Sequence, residues 1–350
     1  MTLKALKVLH VAVAGVAFVG AMARDISAQE KVYPRLVDAE IEKAIGRGLE
    51  FLVRTQNRDG SWRGSGGYGV YPTAMTALAG MALIGSGATP TRSRHWRAVR
   101  RAAKFLVDHA QADGVITVAA EEGRSMYGHG FATMFLAQIY GMEEDPRRQE
   151  RLHGVLTRAS RLIARSQSTL GGWYYSPEST SDEGSVTVTQ LQALRSCRNA
   201  GITVPIKTIN DAVGYIRKSA NPDGGIRYRA SGGGASRPPI TAAAVAVLYW
   251  AGQYDDEMAN KALTYSLRTL PVNGSGNGHH YYAQLYLAQA CYQKGGKTWD
   301  DYFPKASKWL LRQQRRDGSW QGDGVGTTYG TAIALTVLQL PYALVPIYQR

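Results

Sequence analysis

A seven-residue turn motif recurs along this 350-residue chain. Gln56-Asn57-Arg58-Asp59-Gly60-Ser61-Trp62 returns as Gln167-Ser168-Thr169-Leu170-Gly171-Gly172-Trp173 and again as Gln314-Arg315-Arg316-Asp317-Gly318-Ser319-Trp320. All three read Gln-x-x-x-Gly-x-Trp. Weaker copies stand between them. One is Gln111-Ala112-Asp113-Gly114-Val115-Ile116, which reads as one residue shorter. Another is Ala220-Asn221-Pro222-Asp223-Gly224-Gly225-Ile226, and a degraded one is Leu270-Pro271-Val272-Asn273-Gly274. The turn glycines Gly60, Gly114, Gly171, Gly224, Gly274 and Gly318 are 54, 57, 53, 50 and 44 residues apart. A period of this size constrains the fold more than composition does. One unit cannot bury its apolar face alone, so it must stack on copies of itself.

Before each turn, apolar residues recur at intervals of three and four. Ile41, Ile45, Leu49 and Leu52 precede the first turn, and Leu152, Leu156, Ala159 and Ile163 the third. That spacing predicts an amphipathic helix. After each turn a more apolar helix is expected, as over 73–83, 131–140, 186–194, 241–250, 281–290 and 331–340. Asp-Gly suits the joints, because glycine reaches positive φ and aspartate bonds its own backbone. Six helical hairpins with almost no strand signal make an all-α protein. They stack as an open solenoid or close into a ring with the charge-poor helices inside.

The turn motif, the period of about fifty residues and the Thr-Ala helix starts resemble the prenyltransferase and squalene cyclase repeat family. The resemblance covers about residues 36–340. It implies an α/α toroid, a double-walled barrel of about six helix hairpins. It also implies that Gln56, Trp62, Gln167, Trp173, Gln314 and Trp320 tie neighbouring repeats together. A fold hosts many chemistries, so the motif specifies architecture better than activity.

Residues 1–28 read as a secretory signal. Lys4 and Lys7 precede an apolar run, and small-residue cleavage sites end at Ala23 and Ala28. The expected layout is signal 1–28, toroid 29–340 and a Pro-punctuated tail 341–350 packed on the barrel. Export to the periplasm or the extracellular space follows, with no transmembrane segment after the signal. Cys197 and Cys291 fall in different repeats and read as buried thiols. The net charge of +14 gathers at Arg92, Arg94, Arg97, Arg100, Arg101 and Lys104, and at Arg147, Arg148, Arg151, Arg158, Arg161 and Arg165. Such outer helices suit an anionic envelope surface or are simply solvated. A nucleic-acid partner is not expected, since no nucleic-acid motif is present.

The starts of the inner helices should gather at one mouth. Tyr71, Tyr127, His129, Tyr175, Tyr228, His280, Tyr281 and Tyr329 stand there as candidate ligand-binding residues. Twenty tyrosines against six phenylalanines favour rings with a polar handle, suited to a hydrophobic or sugar-like ligand. Many of the same rings would equally seal repeat against repeat. Squalene and hopene cyclases place an Asp-x-Asp-Asp acid before a Thr-Ala start. Here Tyr71-Pro72, Pro239-Ile240 and Tyr329-Gly330 precede Thr73, Thr241 and Thr331. The Cys and His expected for a prenyltransferase zinc do not converge, so neither metal nor cofactor is expected. Asp182 and Glu183 are the weak catalytic candidates, and Glu121 and Glu122 are further mouth acids. The leading expectation is a non-catalytic or divergent toroid that binds a ligand or partner at an aromatic rim. The alternative is an enzyme acting on an isoprenoid or a polysaccharide.

Overall fold

Helices alternate in character along the chain, and the alternation builds two walls. The computed structural model describes residues 32–274 and 278–349; the signal call on 1–28 lies outside them. The odd helices are α1 (Ala39–Thr55), α3 (Trp96–Asp108), α5 (Pro146–Arg165), α7 (Ile206–Lys218), α9 (Glu257–Thr269) and α11 (Gly296–Gln313). Each buries one stripe. In α3, Ala98, Val99, Ala102, Ala103 and Leu106 are buried, while Arg97, Arg100, Arg101 and Lys104 are exposed. The even helices are α2 (Pro72–Gly85), α4 (Ser125–Met142), α6 (Gly184–Asn199), α8 (Pro238–Trp250), α10 (His280–Lys294) and α12 (Thr327–Gln339). These are buried nearly all round; every residue of α2 is. A helix with no polar stripe belongs inside. No strand forms among the described residues, only isolated bridges. The expected all-α architecture is the observed one.

The inner helices pack in sequence, α2 on α4, then α6, α8, α10 and α12, and α12 packs back on α2. Small residues allow the approach: a Cβ on Gly80 of α2 would lie 2.6 Å from the Phe135 ring of α4. Buried glutamines staple the ring. Gln190 Nε2 donates to the Met126 carbonyl at 2.7 Å, and Gln339 Nε2 donates to the Ala82 carbonyl at 2.9 Å. Each outer helix leans chiefly on the inner helix of the preceding repeat. The ring therefore closes, and the solenoid is excluded.

The turn motif makes the joints between repeats. Gln56 Nε2 donates to the Gly60 carbonyl at 2.9 Å and to the Ala98 carbonyl of the next outer helix at 3.0 Å. Gln167 reaches Thr208 in the same way, and Gln314 reaches Ala44 of α1, which seals the last repeat to the first. Trp62, Trp173 and Trp320 are buried, and their indole N–H groups donate to the Leu52, Ile163 and Leu310 carbonyls. Their backbone N–H groups donate to Thr76, Thr187 and Thr331. The first of these partners is Thr76, three residues beyond the Thr73 expected to start the helix.

The weak copies keep the geometry by other means. Asn57 N donates to the Ser61 carbonyl, and Gln111 N donates to the Val115 carbonyl in the same pattern. Gln111 thus stands where Asn57 does, and the second turn has full length with Ala110 in the glutamine's place. There Ala110 pairs with Ile116 in a β-bridge, as Ala220 does with Ile226 in the fourth turn. Asp59, Asp113, Asp223 and Asp317 each accept a backbone N–H two residues on, closing Asx turns. Asp256 caps α9 through the Ala259 N–H, and Asp300 and Asp301 lie within α11.

After α12 the chain makes two short 3₁₀ turns, Leu340–Tyr342 and Pro346–Tyr348. The second packs on α6, and Val345, Ile347 and Tyr348 are buried. Cys197 and Cys291 are buried free thiols, and burial pushes the Cys197 thiol up to about 12.

Candidate binding site at the inner-helix mouth

Every helix start leaves backbone N–H groups unpaired. At the mouth, carboxylates serve three alternate inner helices. Glu122 Oε1 accepts the Thr73 N–H at the start of α2 at 2.6 Å, while its Oε2 accepts the Thr117 hydroxyl at 2.8 Å. Asp323 accepts the Tyr281 N–H at the start of α10 at 3.1 and 3.2 Å. Glu183 caps its own helix α6. It accepts Val186 N at 2.6 Å, Ser185 N at 2.9 Å and the Ser185 hydroxyl at 2.7 and 2.8 Å. Burial nevertheless outweighs these donors and raises its carboxyl above the usual range. Glu121 is held by Arg63 through two bonds of 2.8 and 2.9 Å. Two of the remaining starts need less: α8 begins with Pro238 and Pro239, which carry no N–H, and Met126 N of α4 donates to the Tyr175 carbonyl.

Around Glu183 the tyrosines converge. The Tyr127 hydroxyl meets the Ser185 hydroxyl and lies 3.4 Å from Glu183 Oε1. The Tyr127 and Tyr175 rings are 5.9 Å apart, Tyr175 and Tyr174 are 4.3 Å apart, and the Tyr175 and Tyr228 hydroxyls bond each other. Two guanidiniums lie over this patch. Arg124 stands 4.4 Å from the Tyr175 centroid, and Arg229 stands 5.2 Å from Tyr174 and 6.0 Å from Tyr228. Tyr174, Tyr175, Tyr228 and Arg229 are half-buried and Arg124 is exposed, so the patch is open to solvent. Further in, the Tyr282 and Tyr286 rings meet at 4.9 Å, and Gln192 of α6 donates to Gln289 of α10 at 3.3 Å. Burial raises the Tyr127 and Tyr282 hydroxyls well above the usual range.

The other rim candidates hold partners outside the Tyr127 cluster. His129 is fully buried, and its Nδ1 accepts the Ile116 N–H at 3.1 Å. It does in the second repeat what Thr76, Thr187 and Thr331 do beside the tryptophans, and burial lowers its pKa to about 4. His280 and Tyr281 turn to the outer wall, with ring centroids 4.6 and 5.8 Å from Trp309 of α11. Burial lowers the His280 pKa to about 4. Tyr71 takes left-handed backbone before α2, and its ring packs against Gly69. Tyr329 packs on Gly322, and burial, then Asp323, raises its hydroxyl. Asp182 Oδ2 accepts the Ser168 hydroxyl, and its Cβ shares the space over Gly172 with the Tyr215 ring of α7. The two weak catalytic candidates hold different partners. Asp323, Arg124 and Arg229 were missed by the sequence reading. Their signal was position, since each stands in a loop before an inner helix.

The comparisons fit this architecture. No family model matches the sequence. Over 137 residues the chain is 31% identical to alpha-onocerin synthase LCD of Lycopodium clavatum, a stretch that is 39% of this chain and 15% of that protein. The chain thus spans a small part of its curated relative. The type II terpene cyclase MstE from Scytonema superposes with a TM-score of 0.58 at 18% identity, covering 87% of this chain and 99% of the cyclase. An inactive variant of the α-1,6-mannanase GH76A of Salegentibacter, in complex with α-1,6-mannotriose, superposes with a TM-score of 0.64 at 8% identity, covering 87% and 99%. This chain is an α/α toroid, the fold of those structures. At these identities the likeness to solved structures establishes the toroid's fold and leaves its chemistry to the residues at the mouth.

Proposed function

We propose that this toroid is an exported binding protein whose ligand docks on the tyrosine–arginine patch formed by Tyr127, Tyr174, Tyr175, Tyr228, Arg124 and Arg229. The observation that carries the reading is the state of the mouth carboxylates. Glu122, Glu183 and Asp323 are occupied as helix caps, and Glu121 is held by Arg63. Alkene protonation requires a strong acid with a proton aimed at the substrate, and retaining or inverting glycoside hydrolysis requires two carboxyls across one bond. Aromatic faces beside guanidiniums remain, a surface suited to an amphipathic or sugar-like ligand. Solved structures of the Scytonema cyclase hold geranylgeranyl dihydroxybenzoate, and the mannanase holds mannotriose, so related toroids accept both kinds of molecule.

A second reading rests on Glu183. It is buried beside the Tyr127 hydroxyl with a raised pKa, as suits a general acid acting on an isoprenoid or a polysaccharide. Four donors on its two oxygens favour the cap instead. Export rests on the residue order of 1–28, and protein recovered from its envelope should begin at Arg24 or Gln29. The Arg-rich faces of α3 and α5 support contact with an anionic surface, although Arg92, Arg94, Arg148 and Arg151 already hold Glu144, Glu50, Glu143 and Asp108.

The test is mass spectrometry of lipids and glycans that co-purify with the mature protein. A Tyr175→Ala/Tyr228→Ala variant should lose the ligand, and Glu183→Gln should retain it. A polycyclic product from squalene or oxidosqualene, or sugar release from a polysaccharide, lost in Glu183→Gln, would replace the binding reading with the enzymatic one.

A further inference from the structure

A second candidate site lies far from the mouth, at the other end of the inner helices. Arg195 and Arg198 are in the last turns of α6, and Trp250 ends α8. Between these helices and α7 opens a cleft of about 410 Å³, within the ~300–1,000 Å³ of small-ligand sites. Its origin is the seating of α7. The other outer helices pack broadly on the preceding inner helix, whereas α7 rests more lightly on α6 and scarcely touches α8. Gly214 is one reason, because it puts no side chain into the gap. A Cβ there would meet nothing within 4 Å.

The cleft has two chemistries. Leu191, Ile209, Val213 and Val247 make an apolar trench, and Ile206 beside it is 56% exposed. Arg195, Arg198 and Arg217 line the same space. Arg217 is committed to Asp256 at 2.7 Å. The guanidiniums of Arg195 and Arg198 have no ion-pair or hydrogen-bond partner among the described residues. They stand three apart on one helix, where like charges repel each other. Attraction to the C-terminal end of α6 favours them there. That attraction does not account for the apolar trench they border.

We infer that this cleft binds an anionic amphiphile: a single apolar chain lying in the trench, with a carboxylate or phosphate head held by Arg195 and Arg198. Asn210 and Gln253 also line the cleft, but a neutral ligand would leave Arg195 and Arg198 without a counter-charge. A cation would meet three guanidiniums.

The experiment is calorimetric titration of the purified mature protein with decanoate and decyl phosphate below their micelle concentrations, with decanol and decyltrimethylammonium as controls. Both anions should bind once per chain, decanol at least tenfold more weakly, and the cation not at all. Arg195→Gln/Arg198→Gln should weaken the anions at least tenfold without a change in melting temperature. Gly214→Phe fills the cleft and replaces a mid-helix glycine with a better helix former. It should abolish binding while the melting temperature holds or rises. Unchanged binding in either variant, or decanol binding as tightly as decanoate, overturns the assignment. If only one of the two anions binds, the head group is identified and the site stands.

Discussion

A matched pair of glycine substitutions tests how the repeats are joined. Gly171 and Gly224 occupy the same place in the third and fourth turns, with φ of +99° and +88°. Alanine at either position carries the same backbone strain, ~1–3 kcal/mol for a residue held at strongly positive φ. Each loses the same unfolded-state entropy, so that effect cancels between the two. The surroundings differ. A Cβ on Gly171 would lie 2.2 Å from the Asp211 carbonyl oxygen of the next outer helix, whereas one on Gly224 would lie 3.0 Å from that of Lys261. The first contact forces α7 to move, and overpacking of this kind costs a further ~1–3 kcal/mol. An unfolding entropy of about 2.1 cal/mol/K per residue, over about 315 residues, is about 0.7 kcal/mol/K. Gly224→Ala should then lower the melting temperature by ~1–4 °C and Gly171→Ala by ~3–9 °C. Thermal melts followed by circular dichroism at 222 nm read both directly. Equal shifts, or the reverse order, would refute the claim that backbone approach at the turn holds each outer helix in place.

Trp320→Ala should cost ~3–5 kcal/mol, because its buried ring packs against Gly48 of α1 across the closing seam; a melting temperature equal to wild type would show that the seam does not depend on it. His129→Thr should retain most of the stability by restoring the hydroxyl acceptor used in the other repeats. His129→Leu, which leaves the Ile116 N–H without its partner, should cost ~1–3 kcal/mol in urea unfolding. The histidine also sets a pH dependence. Its folded pKa of about 4 lies below the ordinary value of 6.5, so its contribution is complete above pH 6.5 and is lost as pH falls toward 4. His129→Thr should therefore lose less stability than wild type between pH 6.5 and 4, and parallel losses would reject the assignment. Gln314→Ala removes the donor to Ala44 and Gly318 at the seam and should destabilise by ~1–3 kcal/mol; a smaller effect than that of Asn57→Ala, which serves only its own turn, would contradict closure through the glutamine.

Much of this molecule is written locally. Whether a segment buries a stripe or its whole surface depends on its own apolar spacing, so six hairpins and two walls were legible in the sequence. The positive-φ turn glycines were legible too, since a turn uses a glycine because of its own backbone. What sequence reading could not supply depends on which groups meet once turns and helices pack. Gln111 looks like the motif glutamine, and only the bond from its N–H to the Val115 carbonyl shows that it occupies the place of Asn57. His129 reads as a mouth residue until the Ile116 N–H is found on its ring. His280 and Tyr281 open an inner helix as expected, yet Trp309 of α11 draws both rings outward. Asp182 and Glu183 are neighbours in sequence, but one lies over Gly172 beside Tyr215 and the other caps α6 beside Tyr127. Periodicity determines which residues are buried, because burial follows from one helix's own face. Which buried groups meet, and which acids are already engaged, is decided only by tertiary packing, because bonds such as Gln314 to Ala44 and Glu122 to Thr73 have their two halves in different repeats.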